Sequence, residues 1–201
     1  MSIMSWNCRG LGNPSAVPTL RDLARKYRLD VLFLCETLVH ANKIEEIRIR
    51  LGFDAAFAVD SIGISGGLAI LWKHPFGCNL INYSHNFINM EVTHPHHPRW
   101  RFTGFHGCPE NDRRRESWDM LRTLAQDNSL PWCVMGDFND LLSNEEKRSR
   151  VDHPPWKIRG FREVVQDSGL IDIHLTGYPF TWVKGRGGHD MKEERIDRIV
   201  K

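Results

Sequence analysis

Two apolar runs that each end in a carboxylate constrain this chain more than any other feature. Val31-Leu32-Phe33-Leu34-Cys35 runs into Glu36, and Trp132-Cys133-Val134-Met135 runs through Gly136 into Asp137. Short apolar runs of this kind read as buried strands. A carboxylate leaving a buried strand is costly unless a partner meets it, and the mouth of a sheet is where sites are commonly built. Each acid alone reads equally as a turn residue capping its strand. Together, with Ser5-Trp6-Asn7-Cys8-Arg9-Gly10 upstream, they point to a pair assembled to hold a hard cation.

The 201 residues suffice for one domain with a substantial core. Hydrophobic content of 41% and charged content of 26% belong to an ordinary water-soluble chain. A net charge of +2 permits nucleic acid as a partner without requiring it. The five cysteines are odd in number and lack CxxC spacing, so we expect reduced thiols of an intracellular protein and no zinc site. No charged-then-apolar leader opens the sequence and no apolar run approaches ~20 residues, so neither export nor membrane spanning is expected.

No repeat, low-complexity tract or long linker interrupts the chain, and residues 1–201 are expected to form one domain. A strand over Ile3 to Asn7 is followed by a helix over Pro14 to Arg28, with Val17, Leu20, Ala24 and Tyr27 on its buried face. The strand Val31 to Cys35 then completes a β-α-β opening. Gly67 to Trp72, Cys78 to Tyr83, Phe87 to Val92 and Arg101 to Phe105 read as an antiparallel run divided by Pro, Gly and His-rich turns. Helices are expected over Arg115 to Gln126, with Trp118, Leu121, Leu124 and Ala125 inward, and over Trp156 to Asp167. Strands over Leu170 to Ile173, Phe180 to Val183 and Arg195 to Val200 close the chain. Stacked sheets flanked by helices, an α+β sandwich, accommodate this order.

Hard cations such as Mg²⁺ take oxygen ligands and keep several waters, so one or two carboxylates suffice. Phosphoryl transfer asks mainly for positioning, charge neutralisation and an aligned nucleophile. Glu36 suits the metal, with the Asn7 amide nearby at the end of the first strand. Asp137 suits the attacking water, and Asn139 lies on the same side of the extended chain to steady it or a phosphate oxygen.

Six strings stand in a telling order: Ser5-Trp6-Asn7-Cys8-Arg9-Gly10-Leu11, Leu34-Cys35-Glu36-Thr37, Gly66-Gly67-Leu68-Ala69-Ile70-Leu71-Trp72, Gly136-Asp137-Phe138-Asn139, Phe180-Thr181-Trp182 and Glu194-Arg195-Ile196-Asp197-Arg198. The set resembles the endonuclease/exonuclease/phosphatase superfamily, and within it the endonuclease domain of plant LINE-type, non-LTR retrotransposons. Apurinic/apyrimidinic endonucleases and DNase I are relatives of that branch. The resemblance covers essentially the whole chain. It implies a four-layer α/β/β/α sandwich and a Mg²⁺-dependent (or Mn²⁺-dependent) phosphodiesterase acting on DNA; a nuclear location is expected from that substrate alone. By motif, Glu36 would be the metal ligand with Asn7 beside it, Asp137 the water activator, and Asn139 and Asp197 further catalytic residues.

Two departures qualify the resemblance. Family members continue to a terminal Ser-Asp-His motif, whereas this sequence ends at Lys201, which implies a missing last strand and impaired catalysis. Gly188-His189-Asp190 has the wrong order to replace it. His106 occupies the position of the usual tyrosine, either as a phosphate donor or as a drifted residue. Arg9, Lys147, Arg148 and Trp182 are candidates for nucleic-acid contact, the lysine and Arg148 lying in a loop of local charge +3. The runs His94-Pro95-His96-His97-Pro98 and Asp112-Arg113-Arg114-Arg115-Glu116 read as an exposed hairpin turn and a solvated turn. Trp6, Trp72, Trp118 and Trp132 are assigned to the core. Two rivals stay open: a phosphomonoesterase of the same superfamily, and a remnant that at most binds nucleic acid.

Overall fold

Strand β1 (Ile3–Asn7) runs parallel to β2 (Val31–Cys35), and α1 (Ala16–Lys26) connects them, the β-α-β opening expected from sequence. The structure, a computed structural model, describes every residue except 63, 64, 128 and 186–189. The Gly188-His189-Asp190 reading therefore lies largely outside the described residues. The chain forms two compact units, residues 1–106 with 130–136 and residues 107–129 with 137–201.

In the first unit α2 (Ala41–Leu51), β3 (Ala55–Ile62) and β4 (Ser65–Trp72) follow β2, and one sheet has the order β1-β2-β4-β3. The β2–β4 and β3–β4 pairs are antiparallel. Neither α2 nor β3 is among the elements expected from sequence. Ile44, Ile47 and Leu51 nevertheless repeat at helical spacing, and Gly52 ends α2 in the left-handed conformation (φ 74°) that glycine adopts without steric cost. Every residue of β2 is buried because both faces of its sheet are covered. Leu32 and Leu34 pack with Val17, Leu20 and Ala24 of α1 and with Ile44 and Ile47 of α2. Val31, Phe33 and Cys35 face the opposite way, into a second sheet. Tyr27, expected inward on α1, is 52% exposed because it falls just beyond the helix.

The second sheet holds β5 (Gly77–Tyr83), β6 (Phe87–His94), β7 (His97–His106) and β8 (Trp132–Asp137), side by side in the order β8-β7-β6-β5. Ile88, Met90, Val92 and Phe102 of this sheet meet Val31, Phe33 and Ile70 of the first. Gly104 permits the contact, since a Cβ there would lie 2.3 Å from the Phe33 ring. Helices, sheet and sheet thus form three successive layers. The histidine-rich segment is a tight turn joining β6 to β7, His94 opposite His97, as expected. Trp6, Trp72 and Trp132 are half-buried at the core margin rather than inside it, because each sits on a strand of the sheet edge or end.

The second unit is built on α3 (Arg114–Ala125) and α4 (Pro155–Asp167). Trp118, Leu121 and Leu124 of α3 and Ile158, Phe161, Val164 and Val165 of α4 are buried, the stripe that an amphipathic helix offers a partner. Gly160 lets the helices approach, since a Cβ there would sit 2.4 Å from the Trp118 ring. Ala125 is only half-buried, and Arg114 and Ser117 take inner positions instead. The basic turn expected in solvent therefore sends one arginine inward.

A small sheet of β9 (Lys147–Arg148), β10 (Trp182–Lys184) and β11 (Lys192–Glu194) has the order β10-β11-β9, and β12 (Asp197–Val200) ends the unit. The expected strand over Leu170 to Ile173 reduces to one bridge, Asp172 opposite Val200. Asp172 there turns its carboxylate to two arginines, and Ile171 remains exposed. Arg198, with a fully buried side chain, meets Glu146 at 2.8 Å and Asp172 at 3.3 Å, and Arg195 meets the same two acids at 3.2 and 3.0 Å. Four charges thus tie the loop after β8, the segment after α4 and β12.

Candidate active site

The first three motifs lace around the backbone of Glu36. The N–H groups of Cys8, Gly10 and Leu11 donate to the carbonyls of Cys35, Glu36 and Thr37 at 3.0, 2.8 and 2.9 Å. From the other side, Thr37 and Leu38 donate to the carbonyls of Gly67 and Gly66 at 3.1 and 3.2 Å. A Cβ on Gly67 would stand 2.2 Å from the Thr37 hydroxyl, so this approach requires glycine. The turn so clamped is strained: Arg9, Glu36 and Leu38 hold φ of 45°, 51° and 52°. Left-handed non-glycine residues cost free energy and persist where surrounding structure enforces them, often at functional sites.

This geometry brings Asn7, Glu36 and His106 together. The Asn7 amide donates to Glu36 Oε1 at 2.9 Å, and His106 Nε2 lies 3.4 Å from the same oxygen. That His106 nitrogen is buried. His106 is itself fixed through its backbone: its N–H donates to the Asn86 carbonyl at 2.7 Å, and its carbonyl accepts from the Asn86 amide at 2.9 Å. The Glu36 carboxyl is held below the usual carboxylate range, first by His106, then by the Asn7 amide and the charge of Arg9, against the opposing effect of burial. Its side chain keeps 31% exposure. A half-exposed oxygen donor ionised at neutral pH fits a hard divalent cation that retains most of its waters. Among the described residues no group of three His, Cys, Asp or Glu gathers as a closed metal cage. Arg9 follows Asn7 on the exposed side of the turn, and its N–H donates to the Asn7 side-chain oxygen at 3.2 Å.

In the second unit the remaining motifs converge on the turn after β8. Asp137 is 3% exposed, and its Oδ1 accepts the Asn139 N–H at 2.9 Å. Asn139 takes the left-handed conformation, φ 56°, which asparagine tolerates better than most residues. Its amide donates to the Gly107 carbonyl at 3.0 Å, and Gly107 N–H donates to the Asp137 carbonyl at 2.8 Å. A Cβ on Gly107 would come within 2.4 Å of the Phe138 carbonyl oxygen. Phe138 N–H donates to the Ile196 carbonyl at 2.8 Å. The Thr181 hydroxyl accepts from the N–H groups of Ile196 and Asp197 at 3.1 and 3.0 Å. The strings Phe180-Thr181-Trp182 and Glu194-Arg195-Ile196-Asp197-Arg198 are thus one hydrogen-bonded assembly, and Asp197 is placed through its backbone.

The candidates for nucleic-acid contact divide. Lys147 is mostly buried, 3.1 Å from Glu194, and Arg148 lies 2.8 Å from Glu193, each acid directly across the β9–β11 pair. Their charge is thereby largely spent within the sheet. Trp182 stands half-buried opposite Glu194. Sequence reading did not single out Asn86 or Arg114, which hold the backbones of His106 and Asn139. Nothing in the sequence around Asn86 signals its role; for Arg114 the signal is a cation at the start of a helix, where the dipole disfavours it.

No curated protein is a match for this chain. Among solved structures it is similar to the endonuclease domain of TRAS1, a telomere-specific non-LTR retrotransposon, at 13% identity and a TM-score of 0.71, over 98% of this chain and 83% of that one. It is equally similar to the 3′-5′ exonuclease NExo of Neisseria meningitidis, at 18% identity and 0.71, over 100% and 86%. An AP endonuclease of Archaeoglobus fulgidus follows at 17% identity and 0.71, over 100% and 86%. At such identities the likeness shows the fold, which is the DNase I-like α/β sandwich expected from the motifs. Residues 4–200 match the Endonuclease/Exonuclease/phosphatase family, and the chain belongs to that family.

Proposed function

We propose that the chain is a divalent-metal-dependent phosphodiesterase of retrotransposon origin that cuts DNA. The observation that carries this reading is Glu36: a residue strained into φ 51°, its carboxylate kept ionised by His106 and Asn7, in a chain of a nuclease and phosphatase family. Glu36, with Asn7 beside it, holds the cation, Mg²⁺ or Mn²⁺. A cation bound there would supply charge to neutralise the phosphate and to activate a water. Asp137 orients and deprotonates the attacking water, its Oδ1 already set by the Asn139 N–H. Asn139 and Asp197 complete that half of the chemistry. His106 offers a donor to the phosphate in place of tyrosine, and Arg9 adds positive charge from the exposed side. DNA is the partner that this chemistry suits, in the nucleus, with Trp182 and the exposed part of Arg148 as further contacts.

Nicking of supercoiled plasmid with Mg²⁺, with and without EDTA, tests the reading. We expect metal-dependent nicking that falls about 10³-fold in Asp137→Asn and in Glu36→Gln. Equal nicking by the variants overturns the assigned roles. A folded parent that releases phosphate from phosphomonoesters without nicking is a phosphatase instead, and one that only binds DNA is a nuclease in fold alone.

A further inference from the structure

Arg114 stands at the first position of α3 and is only 7% exposed. A buried guanidinium at a helix N-terminus is doubly unfavourable, being desolvated and facing the positive end of the helix dipole. What compensates it is specific. Its Nη1 donates to the Asn139 carbonyl and its Nη2 to the Pro109 carbonyl at 3.2 Å. Asp140 Oδ1 lies 3.7 Å from Nη1, and the other Asp140 oxygen accepts the Trp118 indole N–H at 3.0 Å. Trp118 belongs to α3, one turn after Arg114, so the helix holds the acid that in turn holds the arginine. The Cys108 N–H donates to the Ser117 hydroxyl at 2.6 Å and keeps the loop before α3 in place.

The carbonyl that the guanidinium grips belongs to the one described non-glycine residue of this unit with positive φ. That residue, Asn139, donates its N–H to Asp137 and its side-chain amide to Gly107. A planar fork reaching two carbonyls at once is a geometry that lysine, a single point of charge, does not reproduce. We propose that Arg114 is a positioning residue: by clamping the carbonyls of Asn139 and Pro109, it holds the left-handed turn that aims Asp137 and Asn139 at the reacting phosphate. The inference rests on the proposed phosphodiesterase reading for its last step, while the clamp itself stands on geometry. Burial pushes the Asp140 carboxyl up, against the charge of Arg114, so the acid and the arginine depend on each other.

The test uses the full chain and Arg114→Lys, which keeps a cation beside Asp140 and removes the fork. Amide exchange of Asn139, followed by NMR, should quicken about tenfold, while Val164 in α4 keeps its protection. In plasmid nicking, kcat should fall about 10²-fold with KM within twofold, as expected for misplaced catalytic groups. Guanidinium ion added to Arg114→Ala should restore part of kcat. If Arg114→Lys does not fold, Arg114→Met with Asp140→Asn removes both buried charges and is read by the same two measurements. Unchanged exchange at Asn139, or exchange quickened equally through α4, overturns the clamp. A parent that does not nick DNA, with the exchange result as expected, leaves the clamp standing and overturns the functional reading alone.

Discussion

The two units solve the burial problem with different chemistry. In the first, layers meet through apolar side chains: Leu32 and Leu34 toward the helices, Phe33 and Val31 toward the second sheet. In the second, α3 and α4 share an apolar seam, but charge inside the unit does much of the joining. Arg195 and Arg198 bind Glu146 and Asp172, and Arg114 binds Asp140. Apolar packing is forgiving of direction and roughly proportional to area. A buried ion pair adds little over a well-packed apolar substitute, yet loss of one partner strands the other in a low dielectric. The first unit should therefore respond to volume and the second to charge.

Single removals sharpen that contrast most. Phe33→Ala should cost about 3–5 kcal/mol through lost burial and the cavity left. Arg198→Met, nearly equal in bulk, should cost about 1–3 kcal/mol, because Glu146 and Asp172 lose their fully buried partner and keep only Arg195. Urea unfolding followed by amide exchange in each unit measures both. Adding Arg195→Met, Glu146→Gln and Asp172→Asn, so that none of the four charges is left unpaired, should recover a good part of the second loss, whereas no charge neutralisation recovers the first. An Arg198→Met protein as stable as its parent would break the comparison.

Acid comes next. Burial, with Lys157 and Lys147 nearby, lowers His153 from 6.5 to about 4. The unfolded chain therefore takes up a proton between those values that the folded one refuses. Stability is whole above pH 6.5 and declines as pH falls toward about 4. Asp140, raised by burial, acts oppositely, since its contribution is present at low pH and lost as pH rises through its raised value. Comparing pH-dependent urea midpoints of the parent with those of His153→Gln isolates the histidine. A parallel pH dependence in the two would refute its role.

Smaller effects complete the series. Gly104→Ala forces a methyl into the Phe33 ring and should cost about 1–3 kcal/mol by thermal unfolding. Arg122→Ala removes the 2.9 Å pair with Asp167 between α3 and α4, both half-exposed, and should cost at most ~1 kcal/mol. If that surface pair proved worth more than the buried methyl clash, the division of the molecule by chemistry would fail.

Much of the first unit was legible because periodicity reports burial directly. The strands Ile3–Asn7 and Val31–Cys35 stand where their apolar runs put them, and α1 buries Val17, Leu20 and Ala24 as its spacing demands. The helix α2 carried the same signal and was passed over, with Gly52 marking its end. Less of the second unit could be read. β9 and β11 are strands two and three residues long, held by Lys147–Glu194 and Arg148–Glu193, and no run so short and charged shows a period. The basic string before α3 looked solvated because charge is usually exposed; Asp140 and the Asn139 carbonyl, remote in sequence, bring Arg114 inside together with the nearby Pro109 carbonyl.

For the candidate site, the sequence by itself determined the chemistry available: Glu36 and Asp137 at the ends of apolar strands, Asn7 and Asn139 close by, and the family that orders them so. These are matters of residue type and local pattern, and a chain carries them wherever it folds. Only the tertiary structure decided how each group is set. Glu36 meets His106 because β2 and β7 lie in sheets packed face to face, and its strained turn exists because segments from Cys8–Leu11 and Gly66–Gly67 close on it from two sides. Asn139 holds its conformation through Gly107 and Arg114. Orientation, strain and ionisation arise from neighbours distant along the chain, and one-dimensional pattern carries no record of them.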